Sequence, residues 1–200
     1  NIMPICGVAI MAAQDAAPPI TTAMMTGTLG TNGWYVSDVQ MTLTATDNDG
    51  GSGVKEIHYS VNGTETVVQG SSASHEIVSD GTHTVTWFAI DNAGNVEPLP
   101  QEMIINIDKT APSISALDAS SAIIWPPNHK MVNIMIRGSV ADSGSEIAST
   151  VITVTDEYGI YNMTVSGFGS AVPLESWREE TDMDGRLYTI TAVITDKAGN

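Results

Sequence analysis

The chain repeats itself. Asp91-Asn92-Ala93-Gly94-Asn95 returns 105 residues later as Asp196-Lys197-Ala198-Gly199-Asn200. Each copy closes an alternating apolar and polar run that begins after an Asp-Gly pair, Asp80-Gly81 and Asp184-Gly185. An earlier pair matches as well, with Ala45-Thr46-Asp47 leading to Ser52-Gly53 and Val140-Ala141-Asp142 leading to Ser143-Gly144. Two diverged copies of one module account for this better than a single domain. Divided in two, 200 residues give modules of about 100. The boundary is expected near Asp108-Lys109-Thr110-Ala111-Pro112, which gives an apolar N-terminal segment over 1–15, a first module over 16–109 and a second over 110–200. Pro112 rigidifies the joint, and so short a linker keeps the modules from tumbling freely.

Within each copy the hydrophobic period is two. Val39, Met41, Leu43 and Ala45 alternate with Gln40, Thr42, Thr44 and Thr46, which predicts a half-buried strand. Val54–Val61, Thr82–Ile90 (with Val85, Trp87 and Ala89 inward) and Met103–Ile107 follow the same rule. So do Val132, Ile134 and Ile136, and later Tyr188, Ile190, Ala192 and Ile194. No apolar stripe of helical period persists over three turns. Asn62-Gly63, Asn32-Gly33 and Asp49-Gly50-Gly51 add turn chemistry, because Asn, Asp and Gly tolerate positive φ. The expected class is all-β.

Seven Lys+Arg against 23 Asp+Glu leave a net charge of −16. Such a surface repels nucleic acid and anionic membranes, and it suits a secreted protein that meets divalent cations. Cys6 is the sole cysteine, so no disulfide forms within the chain. The first thirteen residues are apolar but too few for a membrane span. They read as a signal-peptide remnant or as a strand that pairs elsewhere; a lipid site at Cys6 is disfavoured by bulky Ile5.

Several strings together resemble a family of bacterial immunoglobulin-like surface modules: Thr31-Asn32-Gly33-Trp34-Tyr35, Asp47 to Val54, Asp80 to Val85, the Asp-x-Ala-Gly-Asn motif and Ile107 to Pro112. The second half resembles a related module through Trp125-Pro126-Pro127-Asn128-His129-Lys130-Met131. The resemblance implies two tandem immunoglobulin-like β-sandwich domains in a prokaryotic extracellular or cell-surface setting. Such modules recur in adhesins, surface-layer-like proteins and secreted polysaccharide-degrading enzymes. It also implies a departure. The first module has an apolar strand after Asn95, whereas the second stops at Asn200, so its final strand is expected to be absent from this sequence. Either the sequence belongs to a longer protein, or another chain supplies the strand by β-augmentation.

The expected function is therefore a non-catalytic structural or adhesive surface protein that assembles into filaments by strand donation. Its expected partners are copies of itself or neighbouring immunoglobulin-like modules, and surface glycans. The alternatives are an accessory module of a larger secreted carbohydrate-active enzyme and a calcium-stiffened adhesin repeat. For assembly the candidates are Ile2, Ile5, Val8 and Ile10 as donated groups, with Phe88 and Ile90 as an outward apolar pair beside the inward set. For Ca²⁺ the candidates are the oxygen-rich Asp47 and Asp49, and Asp91, Asn95 and Asp108 gathered from separate loops at a module junction. Turn formation explains each of these residues singly and is the favoured reading of them. Asn62 and Asn162 stand in N-glycosylation sequons. No nucleophile elbow, phosphate loop or zinc spacing appears; the four histidines are scattered, and the acidic run Glu179-Glu180, Asp182, Asp184 reads as a solvated loop.

Overall fold

The computed structural model describes residues 14–200, and among them every regular element is a strand. The first eight are β1 (Ile20–Thr26), β2 (Trp34–Tyr35), β3 (Val39–Thr46), β4 (Val54–Val61), β5 (Thr64–Gln69), β6 (Ser72–Ile77), β7 (Gly81–Asp91) and β8 (Gln101–Ile107). They form two sheets, ordered β1-β3-β6 and β2-β8-β7-β4-β5. The remaining six are β9 (Ser113–Ala119), β10 (Met131–Ala141), β11 (Ile147–Asp156), β12 (Asn162–Ser166), β13 (Ala171–Glu175) and β14 (Tyr188–Asp196). These give sheets ordered β13-β10-β9 and β12-β11-β14. The chain is thus an all-β protein of two β-sandwiches. No helix among the described residues is long and apolar enough to cross a membrane.

Contacts divide the described residues into two compact units. One takes the chain up to Thr26, Gln40–Ile77 and His83–Ile105; the other takes Gly27–Val39, Val78–Thr82 and everything from Asn106 onward.

Period two in the sequence becomes alternation in burial. Along β3, Val39, Met41, Leu43 and Ala45 are buried, and the residues between them are not. β7 buries Val85, Trp87 and Ala89, β4 buries Ile57 and Tyr59, and β8 buries Ile105 and Ile107. The β4–β5 hairpin turns on Asn62-Gly63, both at positive φ (52° and 80°), the geometry whose twist matches paired strands. Asn62 also anchors that turn to β7: its Nδ2 lies 3.0 Å from His83 Nδ1, and its Oδ1 accepts from the Thr84 N–H at 3.0 Å.

In the second sandwich Ile134 and Ile136 on β10, Ile152 and Val154 on β11, and Val172 and Leu174 on β13 make one buried cluster. Tyr188, Ile190 and Ala192 of β14 pack against it but stay only partly buried. One end of this core is polar. Arg186 is 4 % exposed and pairs with the fully buried Asp156 carboxylate, Nη2 to Oδ2 at 2.9 Å. Its guanidinium sits 4.8 Å from the Tyr188 ring centre and 5.3 Å from that of Trp177, where cation–π attraction adds to the ion pair. Burial pushes the Asp156 carboxyl up, but the Tyr161 and Ile160 N–H groups and Arg186 outweigh it and hold it below its ordinary value.

Candidate functional site

Both units gather three carboxylates. In the first, Asp15, Asp47 and Asp91 each place an oxygen within 4.8 Å of the others; in the second, Asp108, Asp142 and Asp196 do the same. The local reason is a shared backbone design. Asp91 ends β7 and Asp196 ends β14, each opposite a register shift in the neighbouring strand, between Val54 and Glu56 in β4 and between Ile147 and Ser149 in β11. A bulge of this kind bends a strand end and re-aims its side chains.

Most of the hydrogen bonds correspond between the two triads. Asp91 Oδ1 accepts from Asn95 N at 2.7 Å, and its Oδ2 accepts from Asn95 Nδ2 at 2.7 Å. Asp196 takes the same two donors from Asn200, at 2.9 and 3.1 Å. Asn95 Nδ2 also donates to the Asp15 carbonyl and Asn200 Nδ2 to the Asp108 carbonyl, at 3.2 and 2.9 Å. Asp15 accepts from Ser52 N at 2.9 Å and from Ala17 N at 3.2 Å; Asp108 accepts from Ser145 N at 2.7 Å and from Thr110 N at 3.1 Å. Those N–H bonds, Ser52 before Ala17, hold the Asp15 carboxyl below its ordinary pKa. Asp47 accepts from Gly53 N and Asn48 N, and Asp142 Oδ2 from Glu146 N and Gly144 N.

Glycine is required where the carboxylates crowd the backbone. A methyl added at Gly144 would fall on the Asp108 carboxylate, and one at Gly51 would lie 2.6 Å from Asp47 Oδ2. Gly94 and Gly199 turn the two Asp-x-Ala-Gly-Asn motifs at φ 93° and 99°. Within the second unit the Thr31-Asn32 turn braces its motif, Thr31 N donating to Ala198 O at 2.8 Å and Asn32 Nδ2 to Lys197 O at 2.9 Å.

The electrostatics of each triad are repulsive. Carboxylate oxygens within 4.8 Å of one another repel. Asp91 and Asp108 are fully buried, and Asp142 Oδ1 is a buried oxygen with no hydrogen-bond partner among the described residues. Oxygens bound at about 2.4 Å to one Ca²⁺ lie no more than about 4.8 Å apart, so the three carboxylates of each triad could reach a single hard ion.

The structure sorts the sequence candidates. Asp47 and Asp91 meet in the first triad, while Asp108 belongs to the second. Asn95 presents its amide N–H to Asp91 and Asp15 and braces the triad rather than facing it with oxygen. Asp49 is exposed and stands outside both triads. Sequence reading missed Asp15, Asp142 and Asp196 as members of the triads. The signal for the last two was the repeat itself, which already paired Asp47 with Asp142 and Asp91 with Asp196.

Phe88 and Ile90 are half-buried. Phe88 stacks on His58 at 4.6 Å, and Ile90 bridges to Val96. Asn62 and Asn162 are exposed. In the acidic run, Asp182 accepts from Gly185 N and from the Tyr158 hydroxyl, so it orders a loop. Ile2, Ile5, Val8 and Ile10, with Cys6, lie outside the described residues.

No protein-family model and no curated protein matches this chain. Among solved structures, it is similar to the chitinase ChiA74 from Bacillus thuringiensis, with TM-score 0.36 and 16 % identity over 92 % of this chain and 30 % of the chitinase. It is also similar to the CbhA fibronectin(III)-like modules of Clostridium thermocellum, with TM-score 0.33 and 10 % identity over 89 % of this chain and 87 % of that one. The chain spans under a third of the chitinase's length, and likeness at this level carries no inference about activity.

Proposed function

We propose that this chain is a non-catalytic structural protein of the extracellular space or cell surface, whose two sandwiches are each stiffened by a divalent cation, Ca²⁺ by preference. The observation that carries the reading is the duplication of the triad with its hydrogen-bond wiring intact. Turn formation alone needs one Asx residue per loop; it does not need carboxylates from three separate segments to converge twice on the same bracing amide. Oxygen donors without sulfur or imidazole suit a hard cation, and extracellular calcium is abundant enough to fill sites of modest affinity. A filled site ties the segment before β1 or β9, the end of β3 or β10, and the end of β7 or β14 into one joint. The role is mechanical: ordered sandwiches that hold a fixed spacing in an adhesive or scaffolding protein.

Isothermal titration of the chelator-stripped chain with Ca²⁺ tests this. Two sites are expected, and Asp91→Asn and Asp196→Asn should each remove one. Absence of binding at millimolar Ca²⁺ would end the reading.

A further inference from the structure

A short segment between β7 and β8 grips the chain just ahead of β1 and at its start. Asn95 and Glu97 lie on this segment, and one side of it is bonded to the end of β7. Asp91 N donates to Asn95 O at 3.2 Å and Glu97 N to Ala89 O at 2.9 Å, with Ile90 and Val96 bridged between those bonds. From that backing two side chains reach out. Asn95 Nδ2 donates to the Asp15 carbonyl at 3.2 Å. The Glu97 carboxylate holds Thr21 twice: Oε1 accepts from Thr21 N at 2.8 Å, and Oε2 from Thr21 Oγ1 at 2.7 Å.

A glutamate is almost never buried unless donors or a cation hold it. Glu97 is 7 % exposed and Thr21 6 %. A third donor is Ala89 N, at 3.0 Å from Oε2. Ala89 belongs to β7, in the five-stranded sheet, and Thr21 to β1, in the three-stranded sheet. One carboxylate therefore ties the two layers of the first sandwich, taking a backbone N–H from each. Bonds to a carboxylate are about twice as strong as those between neutral groups. A Leu or Val in that place would leave both N–H groups unsatisfied.

Asp15 meets Asn95 and, further along both segments, Thr21 meets Glu97, so the two segments run in the same sense. Tension between the chain ahead of Asp15 and the chain beyond β8 slides such segments past each other and loads their bonds together. We infer that Asn95–Glu97 is a mechanical clasp, and that Glu97 is the group that must let go before β1 leaves the sandwich under force. The clasp rests on the mechanical role proposed above, but it does not require either triad to hold a cation.

Optical-tweezers unfolding of the full chain is the test. Handles on Gln14→Cys and Ala111→Cys, both exposed positions, in a Cys6→Ser background make the force cross β1 to β8 alone. Chelator is present throughout, so no cation contributes. At one holding force, Glu97→Gln sets an amide NH₂ among those donors and should unfold about tenfold faster than wild type. Thr21→Val removes only the hydroxyl bond and should unfold about threefold faster, whereas Thr21→Ser keeps it and should match wild type. Should Glu97→Gln fail to fold, the contrast between Thr21→Val and Thr21→Ser carries the test. Ile57→Val weakens the same core away from the clasp and, per unit of stability lost in urea, should quicken forced unfolding less than Thr21→Val does. A wild-type rate under force in Thr21→Val or Glu97→Gln, or an equal response in Ile57→Val, would overturn the clasp. Neither result bears on cation binding, which the titration above decides alone.

Discussion

β7 and β14 are the same strand in two settings. Both run from an Asp-Gly turn to an Asp-x-Ala-Gly-Asn motif, and both place their inward residues at every second position. β7 buries Val85, Trp87 and Ala89 completely or nearly so, while the matching Ile190, Ala192 and Ile194 of β14 remain half-buried. The difference is the neighbour. β7 sits between β8 and β4, whereas among the described residues β14 pairs with β11 alone. Sequence period fixes which face of a strand is apolar; the number of neighbouring strands fixes how dry that face becomes. At the far end of each strand the difference is small, because the triads share the bracing by Asn95 and Asn200.

Breaking the second sandwich should be easiest at its buried ion pair between Arg186 and Asp156. Arg186→Ala leaves the Asp156 carboxylate in the core without its cation and should cost about 4 kcal/mol, read as lost hydrogen-exchange protection in β11. The comparison of buried and half-buried positions comes next. Ile105→Ala in β8 should cost about 3 kcal/mol in urea denaturation, while Ile190→Ala in β14 should cost about 1, since a half-buried side chain loses less on truncation. Equal costs would contradict that difference in burial.

Gly144→Ala probes the triads. Its methyl would displace the Asp108 carboxylate, so Ca²⁺ affinity at the second site should fall about tenfold with the first site unchanged, by the same titration. The smallest effect is acid sensitivity. The folded-state pKa of Asp156 is depressed, so the stability it contributes is complete above the unfolded-state carboxylate range and is lost as pH falls through the lower folded value. Acid unfolding of wild type should therefore steepen below about pH 4, and Asp156→Asn should flatten that limb.

The class of fold was legible because β3 and β7 carry an apolar residue at every second position and Asp-Gly pairs mark turns beside them. β9 was harder to see. Its residues Ser113–Ala119 are almost all exposed, so no buried face imposes a pattern. β2 is two residues long and is set by its parallel pairing with Asn106 and Ile107, a long-range contact with no local signature. The site was half legible. Asp47, Asp91 and Asp108 stood out by loop composition, whereas Asp15 sits in an unremarkable Gln-Asp-Ala-Ala stretch and becomes a neighbour of Asp91 only through folding. Asp49 shows the converse. It has the right chemistry beside Asp47, yet it points to solvent.

Calorimetry of the full chain in excess Ca²⁺ and in excess chelator tests the account most directly. A ligand at about a hundred times its dissociation constant adds about 2.7 kcal/mol, so unfolding should move upward by roughly 10 °C with Ca²⁺, and by less when Asp91→Asn or Asp196→Asn removes one triad. Identical melting in calcium and chelator would contradict it.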